Sequence, residues 1–170
     1  IIAKDAPVLA EAMKLRDEAK NAKFFMVEDQ NIGGKHSLAD EKLSLILTVY
    51  RAKDFEDAKR IVAAILDVTG KGHSTGIHTK NMDHAHELAE ATEVVRVLVN
   101  QAHTFGNGGG FNNALPFTLS MAGGTWAGNT MSDNLNYKNF INVTHLVTTI
   151  PEDKPSEEEL FGPYWARYGK

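Results

Sequence analysis

Short β-branched and aromatic runs alternate along this chain with stretches of helical period, and no other feature restricts the fold as strongly. Phe24-Phe25-Met26-Val27, Leu45-Ile46-Leu47-Thr48-Val49-Tyr50, Ser74 to Thr79 and Val94 to Val99 read as strands. Asp54 is placed to cap a helix whose apolar stripe, Ala58, Ile61, Val62 and Ile65, stops near Gly70. Asn81 is placed to cap a second helix through about Thr92. Strand, helix and strand in succession predict an α/β domain with a largely parallel sheet flanked by helices. In such sheets ligands collect at strand C-terminal ends, where the loops of Glu41 and His73 are expected to contribute.

Other stretches are less regular. From Asp5 to Ala22, Val8, Leu9, Ala12, Met13, Leu15 and Ala19 recur at helical spacing and predict one amphipathic helix. Residues 101–142 are rich in glycine and asparagine, yet Phe105, Phe111, Leu115, Phe117, Leu119, Met121 and Trp126 offer apolar surface to fold the segment down. Val143 to Ile150 returns to strand chemistry. A charged linker follows, and Ser156-Glu157-Glu158-Glu159 resembles a capping box opening a short terminal helix.

Chemistry concentrates in Gly70 to Thr79, where glycines, hydroxyls and two imidazoles crowd between helical patterns. His73 follows a glycine and precedes small hydroxyl residues, so the backbone can turn and leave its ring unshielded; a solvent-facing histidine at a helix C-cap is the simpler alternative. His73 and His78 are five residues apart with no third ligand evident, which argues against a metal site. His36, His103 and His145 have no chemistry-bearing neighbours in sequence and read as ordinary histidines. Gly106-Asn107-Gly108-Gly109-Gly110 lacks the lysine and hydroxyl that end a phosphate-binding loop, and reads as a flexible tip.

Composition narrows the partners. A net charge of -4 without a basic stripe argues against nucleic acid. The apolar runs are far shorter than the ~20 residues that span a bilayer, and no signal-peptide pattern precedes them. Cysteine is absent, so these residues contain no disulfide, thiolate ligand or cysteine nucleophile.

Six stretches taken in order carry a resemblance: Glu41-Lys42-Leu43-Ser44, Tyr50 to Phe55, Gly72-His73-Ser74, Arg96 to Asn100, Gly123-Gly124-Thr125-Trp126 and Gly128 to Ser132. Through them the chain resembles the catalytic domain of the aldehyde dehydrogenase superfamily, in its CoA-acylating branch. The ending, Ile150 to Pro155 and Phe161 to Tyr164, is similar to members that act on sulfoacetaldehyde. The resemblance implies an aldehyde-dehydrogenase-like fold over residues 1–142, an oligomerisation strand at 143–150, and a linker with a short helix at 151–170.

It also implies an enzyme that joins an aldehyde, coenzyme A and NAD or NADP in the cytoplasm, as a homo-oligomer. His73 is then the catalytic histidine, Glu41 the residue that binds the nicotinamide ribose, and Phe117 part of the aldehyde channel. Glu159 to Pro163 resembles a second ribose-binding signature, but only Glu41 has the required strand, helix and glycine-histidine loop downstream. The family's nucleophilic cysteine and dinucleotide-binding domain have no counterpart in these residues. The chain is therefore expected to be part of a longer enzyme and inactive alone; a non-catalytic assembly module that keeps the fold is the alternative.

Overall fold

A computed structural model of the chain describes residues 2–35 and 37–170, so His36 lies outside the described residues. The chain divides into two compact units, Ile1–Phe140 and Ile141–Lys170. The first contains helix α1 (Ala6–Ala12), strands β1 (Phe25–Glu28) and β2 (Ile46–Val49), helix α2 (Phe55–Thr69), strand β3 (Thr75–Ile77), helix α3 (Met82–Ala91), strand β4 (Val97–Val99) and helix α4 (His103–Asn107). The second contains helix α5 (Glu157–Tyr168).

The helix starts follow from their caps. Asp54 is extended and its carboxylate accepts the Asp57 N–H at 2.8 Å, closing one of the unpaired donors at the start of α2. Asn81 does the same for α3 through the Asp83 N–H at 3.0 Å. At α5 the Ser156 hydroxyl accepts from the Glu159 N–H while Glu159 accepts from the Ser156 N–H at 2.7 Å. Those Ser156 hydrogen bonds hold the Glu159 carboxyl below its ordinary range. Glu159 is thus a helix cap, which accounts for the signature-like stretch that follows it.

The predicted single helix over Asp5–Ala22 is shorter than its periodicity suggests. Helix α1 stops at Ala12, Lys14 takes a positive φ of 53°, and a 3-10 turn over Asp17–Asn21 follows. The Leu15 N–H reaches back to the Ala10 carbonyl at 2.9 Å, a helix-ending bond that continued α-helix would forbid.

All named strand pairs are parallel, but they form two separate pairs, β1–β2 and β3–β4, among the described residues, and only β3 and β4 are joined through a helix, α3. Packing around the second pair is denser: Ala85 and Leu88 on α3, Leu98 on β4 and Val94 before it are buried. The first pair is covered on one face. Met26 lies opposite Leu47, and both are more than half exposed, at 62% and 53%. A parallel sheet ordinarily has both faces buried, so these alternate side chains are the apolar surface the chain itself leaves open.

The 101–142 segment does fold down, though its aromatics do not do it. Phe105, Phe111, Phe117 and Trp126 are exposed, as is Leu119, while the buried residues are Gly106, Asn107, Ala122, Gly123, Gly124 and Asn134. In the second unit, 143–150 is exposed and joins no strand among the described residues. No helix of the described residues is long and apolar enough to cross a membrane.

Replacing Met26 and Leu47 together by Thr keeps β propensity while removing apolar surface. The double variant is expected to bind less of a fluorescent apolar dye and to self-associate less in sedimentation velocity, with little change in its urea midpoint.

Candidate active site

Parallel pairing between β3 and β4 extends backward through a bridge between Gly72 and Val94, with the Gly72 N–H on the Glu93 carbonyl at 2.8 Å. His73 and Ser74 sit between that bridge and the first residue of β3, on a short span anchored at both ends. Gly72 has φ +102°, and a Cβ there would lie 2.5 Å from the Gly123 carbonyl oxygen and 2.6 Å from the Ala127 Cβ. The glycine at 72 lets the Gly123–Gly128 turn pack directly against the backbone of the residue before His73.

Arg96 fastens the same two segments from below. It is 5% exposed, one residue before β4, and its guanidinium donates to Asn134 Oδ1 at 2.8 Å, the Ala122 carbonyl at 2.9 Å and the His73 carbonyl at 3.2 Å. Burial pushes its pKa below the ordinary value, opposed by the charge of Asp133. Asn134, fully buried, passes the connection on through its amide to the carbonyls of Asn107 at 2.8 Å and Pro116 at 2.9 Å. Buried polar side chains therefore hold the glycine-rich segment that aromatics were expected to hold.

The His73 ring is exposed above this anchorage, with Nδ1 2.6 Å from Ser74 Oγ. Ser74 Oγ in turn lies 2.9 Å from His103 Nε2 and accepts from Asn107 Nδ2 at 3.0 Å. His103, unremarkable in sequence, thus joins the His73 cluster from α4. Its ring covers Gly76 of β3 so closely that a Cβ there would come 2.8 Å from Nδ1. Desolvation, with the nearby His73, holds the His103 pKa below its usual 6.5. Asn107 is 4% exposed, and its Oδ1 has no hydrogen-bond partner among the described residues.

Glu41 is exposed in the segment before β2, and no hydrogen bond or ion pair among the described residues links it to His73. Both residues precede their strands. His73 therefore lies at the N-terminal end of β3 rather than at the strand C-terminal end expected, because it follows α2, whereas the loop of Glu41 leaves the C-terminal end of β1 and runs to the start of β2. At the C-terminal ends of β1 and β2 lies a hollow of about 240 Å³ lined by Glu28, Asp29, Tyr50, Arg51, Asp57 and Arg60, among others. Its charges are engaged: Arg51 with Glu28 at 2.8 Å, and Arg60 with Asp57 at 2.6 Å. Phe117 is exposed and packs edge-on against Phe111, ring centres 5.0 Å apart.

Two consequences are measurable. Arg96→Met strips hydrogen bonds from several partly or wholly buried acceptors, each worth about 1–3 kcal/mol when left unpaired. It is expected to destabilise the chain by at least ~3 kcal/mol in urea unfolding, with Arg96→Lys retaining part of the loss. His103 binds its proton at lower pH folded than unfolded, so its contribution to stability is present above pH 6.5 and is lost as pH falls below it. Urea midpoints from pH 7.5 to 5.5 should fall, and His103→Gln should flatten that fall.

No family model matches the chain. It is 44% identical to an acylating sulfoacetaldehyde dehydrogenase of Cupriavidus necator over 155 residues, covering 91% of this chain and 31% of the relative. An acylating sulfoacetaldehyde dehydrogenase of Bilophila wadsworthia is 37% identical over 172 residues, covering 100% of this chain and 36% of the relative. Among solved structures, an acetylating aldehyde dehydrogenase from Geobacillus thermoglucosidasius matches with TM-score 0.78 and 28% identity, over 90% of this chain and 34% of that one. A probable aldehyde dehydrogenase from Listeria monocytogenes matches with TM-score 0.80 and 29% identity, over 90% of this chain and 33% of that one. By sequence and by fold, the chain is a homologue of the acylating aldehyde dehydrogenases and spans about a third of the length of the relatives it matches.

Proposed function

We propose that these residues are the part of an NAD(P)-dependent, CoA-acylating aldehyde dehydrogenase that supplies the acyl-transfer histidine, His73. Sulfoacetaldehyde is the substrate favoured, from the names of relatives at 44%, 38% and 37% identity. One observation carries the reading: the His73 ring is exposed and its Nδ1 is engaged by Ser74, which leaves Nε2 to meet a substrate.

In the reaction, coenzyme A must give up its thiol proton as its sulfur attacks an acyl group held as a thioester. Imidazole is the side chain whose charge changes nearest neutral pH, and His73 Nε2 is the nitrogen placed to take that proton. The acyl-bearing cysteine comes from residues beyond these, since the chain contains none. Glu41 suits the nicotinamide ribose because an ionised carboxylate offers only acceptors, matching two hydroxyl donors. The dinucleotide supplies the hydride acceptor when bound. Phe117, exposed beside Phe111, supplies an apolar wall for the aldehyde. The 143–150 strand pairs with a second copy, which would cover its exposed backbone edge. A cytoplasmic setting suits the thiol chemistry.

In the intact parent enzyme, His73→Gln is expected to lower CoA-dependent acyl transfer by about 10²–10⁴-fold while leaving reduction of the nicotinamide in a single turnover largely intact. An unchanged acyl-transfer rate would overturn the assignment. Glu41→Gln should raise KM for the nicotinamide cofactor roughly tenfold, the loss of one charge-assisted hydrogen bond. The 170-residue chain alone is expected to produce no CoA-dependent NADH.

A further inference from the structure

A serine hydroxyl has one proton to give and two lone pairs to fill. At Ser74 one lone pair is taken by the Asn107 Nδ2–H, and two ring nitrogens, His73 Nδ1 and His103 Nε2, compete for what remains. Only one ring can donate to the hydroxyl, and the other must accept from it. We propose that His73, Ser74 and His103 form a single-proton relay, in which Ser74 couples the two rings so that a proton taken up at His73 Nε2 is passed on to His103.

The balance is as follows. Before transfer His73 carries its proton on Nδ1 and donates to Ser74, whose own O–H points at His103 Nε2. A proton arrives at His73 Nε2; the Nδ1 proton moves to Ser74 Oγ, and the former Ser74 proton moves to His103 Nε2. His73 is left neutral with its proton on Nε2, and His103 holds the added charge. No bond other than N–H and O–H bonds changes. If both rings were cationic, three N–H donors would converge on one oxygen with two lone pairs.

Three further features support this. Gly76 is the residue type that admits the His103 ring over β3, so the ring is seated rather than free. Asn107 keeps Nδ2 on Ser74 although its own buried Oδ1 goes unpaired, a cost that marks the orientation as held by its surroundings. The surroundings are also electrically quiet. Helix α4, strands β3 and β4 and the Gly123–Gly128 turn carry no charged side chain, and no carboxylate among the described residues pairs with either ring. Arg96 bonds the His73 carbonyl, and Lys71 is engaged by Asp67 and Glu93. Desolvation and the nearby His73 disfavour charge on His103, so the proton resides there only in passing and the transfer depends on the Ser74 hydrogen bonds rather than on His103 basicity.

This inference rests on His73 being the group that meets the thiol, but its test needs no aldehyde, coenzyme A or nicotinamide. In the chain labelled with ¹⁵N at histidine, two-bond proton–nitrogen spectra report tautomer and charge for each ring from pH 8 to 5, with His73→Gln and His103→Gln giving the assignments. At high pH the two rings are expected to share a tautomer, both Nδ1–H or both Nε2–H, because Ser74 accepts from one and donates to the other. On acidification one proton enters the pair, and the second is displaced by more than about one pH unit. Ser74→Ala should abolish both the shared tautomer and the displacement, and Ser74→Thr, which keeps the hydroxyl, should restore them. Opposite tautomers in the unsubstituted chain, two rings titrating together with one midpoint, or titrations unmoved by Ser74→Ala would overturn the relay. A relay present in these spectra alongside an acyl-transfer rate indifferent to His73→Gln would instead sink the enzymatic reading and leave the relay standing.

Discussion

One guanidinium holds the His73 segment and the glycine-rich segment together. Arg96 meets three separated stretches at once: the His73 carbonyl before β3, the Ala122 carbonyl before the Gly123–Gly128 turn, and the Asn134 side chain. A planar group with five N–H donors can serve several acceptors in a fixed fan, which an ammonium on a flexible stem cannot. The charge is buried without a carboxylate in direct contact among the described residues, so its hydrogen bonds are what offset the loss of water. That makes the anchorage intolerant of partial loss.

Close backbone approach completes what Arg96 begins. Gly72 lies against Gly123 and Ala127, and Gly76 lies beneath the His103 ring. At each place the missing Cβ is the space another group occupies. The consequence is geometric: His73 and Ser74 are held between close backbone approaches while the imidazole stays open to solvent.

The same chain leaves much apolar surface uncovered. Met26 and Leu47 face out from one sheet, and Phe105, Phe111 and Leu119 face out from the 101–142 segment. Polar hydrogen bonding, directional and short-ranged, is enough to shape that segment, but it does not remove these apolar side chains from water. A chain homologous to about a third of larger enzymes has this character when its own residues furnish the site's frame and not both walls of its sheets.

The sequence by itself determined the local elements. Asp54, Asn81 and the Ser156–Glu159 pair start their helices where they were expected, because a cap acts over two or three residues. The four runs read as strands inside the first unit are strands, and the order of motifs pointed to the aldehyde dehydrogenases. Helix α1 escaped that logic: apolar spacing continues past Met13 while the chain turns at Lys14. The tertiary structure alone decided which residues join His73. His103 is 29 positions from Ser74, and Asn134 is 38 from Arg96. Hydrogen bonds between residues so far apart follow from how β3, β4 and the glycine-rich segment pack, and periodicity, composition and capping carry no trace of that packing.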